Sequence, residues 1–479
     1  MNAASSPPPP PPTSEQLHTE MKRLLSSDNS VDIATLAYVW GFPLISNMRT
    51  IDHSTDPQYY SESESNGPWN EFHYNTILAD ASFKQIVSPN VDTLYSYVYY
   101  DLENESLIIQ IPDGINRYFT LQFIDAYTTN YHYIGTRTTG TNGGTYILAS
   151  PNWTGKVPNS MIQIKSPTNF GLVFGRVLVN GPDDLKNAIR IEQSLKASLL
   201  SVYENKATMA EAIANITKKD PIRFYSKSIS GLPQFIPSTG PKLFNELAFY
   251  MAKNMPPANQ SNIVDKFAKI GITPNAQSNN QSKVDFNEAT AAVLEKGIVN
   301  GEKLIDLRYS VRTNVNNWKV NTNICRFPDD FLGRASMAKF GLWANNAEEA
   351  IFPFTGIDEN GKSLNGANNN SYILHFGKEQ LPPVKKGGFW SITVYTVPVQ
   401  LLHDNLINRY VINDRTQGIK YNDDGSLDIY LQNQKPSDPQ RQTNWFPIPD
   451  GPFVVVMRIY LPQQSVSDGQ YQPPTIRLA

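Results

Sequence analysis

The chain has 479 residues, with 41 Lys and Arg against 44 Asp and Glu and a formal net charge of -3. That length exceeds the roughly 250–300 residues at which one hydrophobic core stops growing, so two or three domains are expected. The charge balance excludes an electrostatic footprint for nucleic acid or an anionic membrane surface. One cysteine, Cys325, excludes an internal disulfide framework and a Cys-based zinc cluster. No apolar run approaches the ~18 residues of a membrane span.

In chain order, residues 1–14 read as a disordered tail because a run of prolines, Pro7 to Pro12, favours polyproline II and joins no packed core. The tail lacks the basic and apolar regions of a secretory signal, so a cytoplasmic location is expected. Residues 15–84 read as helices and a loop, with helices at Glu15 to Leu25 and Val31 to Trp40, the second stopped by Gly41 and Pro43. From about Gln85 the apolar period becomes two, and short strands between turn signals predict an antiparallel sandwich over 85–181. Residues 182–345 read as a helical segment, beginning with a long helix from Leu185 to Tyr203. Strands return over 346–479, most simply as a jelly roll or sandwich. Asp358-Glu-Asn-Gly361 and Asn422-Asp-Asp-Gly425 are read as hairpin turns rather than calcium loops, since neither continues to a glutamate at the twelfth position. The class is therefore α+β, mainly β.

Two sets of words carry a family resemblance. The first is Ser88-Pro-Asn-Val-Asp-Thr-Leu-Tyr95, Arg117-Tyr-Phe-Thr-Leu-Gln-Phe-Ile-Asp125, Gly135-Thr-Arg-Thr-Thr-Gly140 and Gly175-Arg176. The second is Phe389-Trp-Ser-Ile-Thr-Val-Tyr395, Asn408-Arg-Tyr410, Asp424-Gly-Ser-Leu427 and Asn444-Trp-Phe-Pro447. Together they resemble proteins that pair the domain of unknown function DUF1254 in the first half with DUF1214 in the second. The resemblance implies an N-terminal immunoglobulin-like β-sandwich, a helical middle segment and a C-terminal jelly-roll-like β-sandwich. It implies no activity, cofactor or catalytic residue. Many bacterial relatives look exported, and this N-terminus departs from them.

Arg176 is the strongest physical oddity, because it lies in Leu172 to Val179 where both parities are apolar. A guanidinium cannot shed its charge, so its burial calls for a carboxylate or a bound anion. Asp125 and Asp92 are the expected partners. Arg458 repeats the pattern inside Phe453 to Tyr460, with Asp414 and Asp428 as its expected partners. The six histidines fall at no metalloprotease spacing, Gly-x-Ser-x-Gly is absent, and Ser228 to Gly231 is only an echo of it. Phosphate-binding glycine loops are missing as well. No cofactor is therefore expected, although a divalent cation is compatible with the scattered His and Asp. Tyr95, Tyr97 and Tyr99 share one strand face and suit a sugar or aromatic ligand or simple packing.

Two functions follow. The favoured one is a ligand-binding or assembly protein, with homo-oligomers covering the open sheet edges and Trp390, Arg409, Tyr410 and Arg458 as ligand-binding candidates. The other is a cofactor-independent or metal-assisted enzyme, of hydrolase or lyase type, acting on a small molecule at the first sandwich through Asp92, Tyr95, Asp125, His132, Arg137 and Arg176.

Overall fold

The structure, a computed structural model, describes residues 12–84, 88–217, 240–275, 286–322, 324–325 and 327–479. The polyproline run before Pro12 and the Ser228 to Gly231 echo lie outside these residues. Helix makes up 32% and strand 26%, so the class is α+β with helix ahead of strand, where strand was expected to dominate. The sheets are open. No helix among the described residues is long and apolar enough to cross a membrane.

The chain divides into two compact units. The first comprises Met1–Ser46, Pro237–Arg312 and Phe327–Leu342. Its helix Ser14–Ser26 starts in a capping box, where Thr13 Oγ1 accepts from the Gln16 N–H and Gln16 Oε1 accepts from the Thr13 N–H. The next helix, Ser30–Thr55, runs through Gly41 and Pro43, where a stop was expected. Packing overrides propensity here. A Cβ on Gly41 would lie 2.7 Å from Leu247 Cδ1, so the glycine lets that side chain of the helix Leu243–Lys253 sit against the backbone. Trp40 meets Phe267 edge-on and donates its indole N–H to Gln260 Oε1 at 2.8 Å.

The second unit comprises Asn47–Ile236, Thr313–Arg326 and Trp343–Ala479. Its first strands are β1 (His73–Tyr74), β2 (Thr93–Asp101), β3 (Leu107–Ile111), β4 (Phe119–Asp125), β5 (Asn130–Gly135), β6 (Gly144–Ala149), β7 (Ile162–Lys165), β8 (Phe170–Leu178) and β9 (Lys196–Leu199). They form sheet one, in the order β1-β2-β8-β4-β5, and sheet two, in the order β7-β6-β3-β9. One core joins the two sheets, with Leu94, Val98, Leu121, Phe123, Val173 and Val177 from sheet one meeting Ile109 and Leu148 from sheet two. Strand β9 interrupts the predicted helix, which stops at Glu192 because Lys196–Leu199 pairs along the edge of β3, and a short helix Leu200–Tyr203 follows. Strands β6 and β7 run parallel, against the antiparallel expectation.

The remaining strands are β10 (Thr313–Val315), β11 (Trp318–Val320), β12 (Ala350–Ile351), β13 (Phe354–Thr355), β14 (Ser371–Phe376), β15 (Val384–Thr396), β16 (Ile412–Asn413), β17 (Leu427–Gln432), β18 (Trp445–Pro447), β19 (Phe453–Pro462) and β20 (Ile476–Leu478). Sheet three has the order β10-β11-β13-β19-β15-β16 with β12 also on β19, and sheet four is β18-β17-β14-β20. Trp390 on Phe376 and Phe453 on Tyr372 join sheets three and four. The other face of sheet three brings Phe389 and Tyr460 against Tyr118 and Leu178 of the first sheet's neighbourhood. Asp358 and Asp424 each accept backbone N–H groups of their own turns, and Gly361 and Gly425 take φ of 76° and 84°, as the turn reading expected.

Candidate functional site

All nine residues of β2 and all nine of β8 are buried, so sheet one is covered on both faces. Alternation sends Leu94, Val98, Val173 and Val177 into the shared core and Tyr95, Tyr97, Phe174 and Arg176 to the opposite face. Register then sets two rows across the sheet. Tyr95, Arg176 and Thr120 form one, and Tyr97, Phe174 and Gln122 the next. Between them, Gly175 leaves room for Ser96, whose Oγ would lie 2.1 Å from an added Cβ.

Arg176 is 5% exposed and, among the described residues, has no carboxylate partner. Its Nη1 donates to Gln122 Oε1 at 2.6 Å and to Asn345 Oδ1 at 3.1 Å, and Nη2 donates to the Trp343 carbonyl at 3.2 Å. The guanidinium lies 4.1 Å from the Phe174 ring centroid and 5.8 Å from that of Tyr95. The expected ion pair with Asp125 or Asp92 is therefore corrected. β4 keeps its register with β8 as far as Asp125 and Gly171, so Asp125 lies on the face of Phe123, opposite Arg176, and its Oδ1 accepts from the Thr129 N–H. Asp92 is bound by Ser391 Oγ at 2.5 Å, Asn413 Nδ2 at 3.1 Å and Arg415 Nη2 at 3.2 Å.

Residues Trp343 to Glu349 form a strap over this face, held mostly by side chains, with one backbone bond from the Leu461 N–H to the Glu349 carbonyl at its end. Gln122 Nε2 donates to the Ala344 carbonyl at 2.8 Å, and Asn130 Nδ2 donates to the same carbonyl at 2.9 Å. The Tyr133 hydroxyl accepts from the Asn346 N–H at 2.9 Å. Asn47 accepts the Trp343 indole N–H at 2.8 Å while its own Nδ2 donates to the Asp125 and Ala126 carbonyls. Arg137 closes the far end on Glu349 Oε2 at 2.6 Å, and Tyr118 donates to Glu349 Oε1 at 2.7 Å. The Cys325 thiol donates to the Ala344 carbonyl, and burial pushes it up to about 12, which makes it an inert packed group. Asn345 Nδ2 and Thr120 Oγ1 are buried without a partner among the described residues. The Tyr95 and Tyr97 hydroxyls likewise make no hydrogen bond among the described residues.

The other candidates separate from this cluster. His132 pairs with Phe123 in register and meets its ring edge-on, which puts it with the core side of sheet one; burial lowers its pKa. Trp390 is packed on Phe376. Arg409 donates to the Thr443 and Trp445 carbonyls, and the Tyr410 hydroxyl donates to Asn408 Oδ1. Arg458 has neither Asp414 nor Asp428 as partner. It donates to Thr393 Oγ1, the Tyr395 hydroxyl and the Ser88 and Pro89 carbonyls, and so ties the segment before Asp92 to sheet three. Asp428 is engaged by His375 at 2.7 Å and Asp414 by Arg415. Burial pushes the Asp414 carboxyl up to about 6 against the pull of Arg415.

One further buried acid went unnoticed in the sequence. Glu192, the last residue of the helix Leu185–Glu192, is 0% exposed and neither carboxyl oxygen has a partner among the described residues. Burial, with the Glu64 charge nearby, pushes it up to about 9. Gln122 carried a legible signal, a polar residue inside the apolar run Phe119 to Ile124. Asn47, Asn130, Trp343 and Asn345 carried none, because a helix, the first residue of β5 and an irregular strap deliver them. Among the described residues no group of three His, Cys, Asp or Glu is placed to hold a metal ion.

Two family models match the chain, each described as a protein of unknown function: DUF1254 over residues 69–198 and DUF1214 over residues 349–464. No curated protein is matched. The crystal structure of the VPA0106 protein from Vibrio parahaemolyticus is similar over 94% of this chain and 100% of that one, at 24% identity and a TM-score of 0.69, a likeness of fold. An uncharacterised protein from Burkholderia cenocepacia aligns over 97% of this chain and 94% of that one at 11% identity and a TM-score of 0.42. Tyr95, Thr120, Gln122 and Arg176 fall inside the first family match, Glu349, Arg415 and Arg458 inside the second, and the strap residues Trp343 and Asn345 between them. The chain therefore belongs to the family that pairs a DUF1254 domain with a DUF1214 domain.

Proposed function

We propose that the chain is a small-molecule-binding protein that takes an anionic ligand at Arg176. The observation that carries this is the lone guanidinium: buried, permanently charged, and met only by neutral oxygens and aromatic faces. A charge kept out of water without a counter-ion is costly, and an anion removes that cost. Support comes also from the unpartnered polar atoms of Asn345 and Thr120 beside it. The immunoglobulin-like and jelly-roll descriptions belong to the same proposal, the first supported by the single core between sheets one and two and the second by the aromatic contacts between sheets three and four. Assembly into homo-oligomers goes with it as a companion reading, motivated by the open sheets, and light scattering at micromolar concentration tests it.

The test is thermal unfolding of the full chain against a series of small anions at constant ionic strength. A ligand at a hundred times its Kd stabilises by about 2.7 kcal/mol, which a melting curve reads easily. Wild type should gain stability with at least one anion class and Arg176→Met should not. Equal shifts in both proteins, or none in wild type, would remove the proposal.

A further inference from the structure

The chemical class of that anion can be read from what Arg176 leaves unused, an argument that rests on the anion reading above. A guanidinium has five N–H donors. Nη1 spends both of its donors on Gln122 and Asn345, and Nη2 spends one on the Trp343 carbonyl. Nε–H and the second Nη2–H have no acceptor among the described residues. Donors on these two nitrogens form the side edge of the fork, which a carboxylate accepts as two parallel bonds.

Two flanking donors are also idle. Asn345 Nδ2 belongs to the same amide whose oxygen the guanidinium already holds, and it is buried without a partner. Thr120 Oγ1 is buried without a partner and stands directly across from Arg176 in the ladder.

Charge sets the valence. Arg137 is neutralised by Glu349. Asp92 and Asp414 share Arg415, which leaves that triad one negative charge in excess. Ser391 both binds Asp92 and pairs with Arg458 in register, so the excess and the Arg458 charge belong to one stretch of sheet three and sum to zero. One positive charge, that of Arg176, is left over. A monoanion balances it, whereas a phosphate dianion would leave a buried negative charge with no partner.

We infer that the site takes a monocarboxylate, bound side-on to Nε and Nη2 of Arg176, with the Asn345 amide and the Thr120 hydroxyl donating to its flanks. A neutral amide in its place would point its own N–H groups at donors, and a site that hydrogen-bonds one group rejects the analogue that cannot answer.

The experiment is calorimetric titration of the full-length chain at pH 7.5 and constant ionic strength with acetate, benzoate, benzamide and inorganic phosphate. Acetate or benzoate should bind at least tenfold more tightly than benzamide and phosphate. Arg176→Met should abolish that binding. Arg176→Lys should weaken it at least tenfold, because an ammonium cannot offer two parallel bonds, and Thr120→Val should weaken it severalfold. Phosphate binding as tightly as the carboxylates, lost in Arg176→Met, would overturn the carboxylate assignment and leave the anion reading standing. Carboxylate binding unchanged in Arg176→Met, or in Arg176→Lys should the first variant fail to fold, would overturn both. No carboxylate binding to wild type at all would also overturn the assignment.

Discussion

Replacing Glu192 by glutamine tests how far an unpaired acid can be buried in the second unit. Its carboxyl is 0% exposed and has no hydrogen-bond partner among the described residues, and burial raises its pKa from 4.5 to about 9. The sign follows from linkage. Below pH ~4.5 both folded and unfolded chains hold the proton, so the site costs little ionisation energy. Between pH ~4.5 and ~9 the unfolded chain releases the proton and the folded chain keeps it, so stability falls steadily as pH rises. At pH 7 the loss is on the order of 3 kcal/mol, from ~1.4 kcal/mol for each pH unit above the unfolded value. Glutamine has nearly the same shape and no proton to lose. Glu192→Gln and wild type should therefore unfold at similar urea concentrations at pH 4.5, with the variant increasingly the more stable up to pH 8. Circular dichroism during urea unfolding at several pH values reads the difference directly. A gap between the two proteins that stays flat from pH 4.5 to 8 would refute the argument and mean that the folded chain supplies Glu192 with a counter-charge.

Gly175→Ala should destabilise the protein by about 1–3 kcal/mol in the same urea assay, since the new methyl would overlap Ser96 Oγ between two ladder strands. Arg137→Ala should cost up to about 3–5 kcal/mol by leaving the buried Glu349 carboxylate with only Tyr118, and adding Glu349→Gln should restore most of the loss. Asn47→Leu removes three hydrogen bonds, two of them buried, and leaves the Trp343 indole N–H unmet, so a loss of roughly 2–4 kcal/mol is expected by thermal melting.

Strand periodicity was the most legible part of the chain. Alternation in Leu94 to Tyr99 and the doubly apolar run around Arg176 correctly announced buried strands, because the period of two is written into side-chain direction. The helix through Gly41 and Pro43 was not legible, since Leu247, about two hundred residues away, decides it. Strand β9 was missed for a similar reason: Lys196–Leu199 has helical neighbours and becomes a strand only by finding the edge of β3. Parity held at Asp125, which stays in register with β8 on the face of Phe123, and that is the face opposite Arg176, so the pairing expected from it could not form. At the site, the charge that needs compensation was visible in the sequence, but the neutral groups that meet it were not. They come from Asn47, Gln122, Trp343 and Asn345, far apart in the chain, and ordinary asparagines carry no mark of such a duty.

The strap over Arg176 has a kinetic consequence. Thr120, Arg176 and Asn345 are at most 5% exposed, so a ligand cannot reach them by diffusion alone. Their neighbours on β2 and β4 are locked into ladders of nine and seven paired residues with β8, whereas Trp343 to Glu349 is tied down by amide, hydroxyl and guanidinium groups that can release one at a time. A ligand taken up at Arg176, as proposed above, must therefore wait for the strap: its observed association rate should rise with concentration and then level off at the rate of strap opening. Once closed, the same bonds make departure slow, so modest affinity can coexist with long residence.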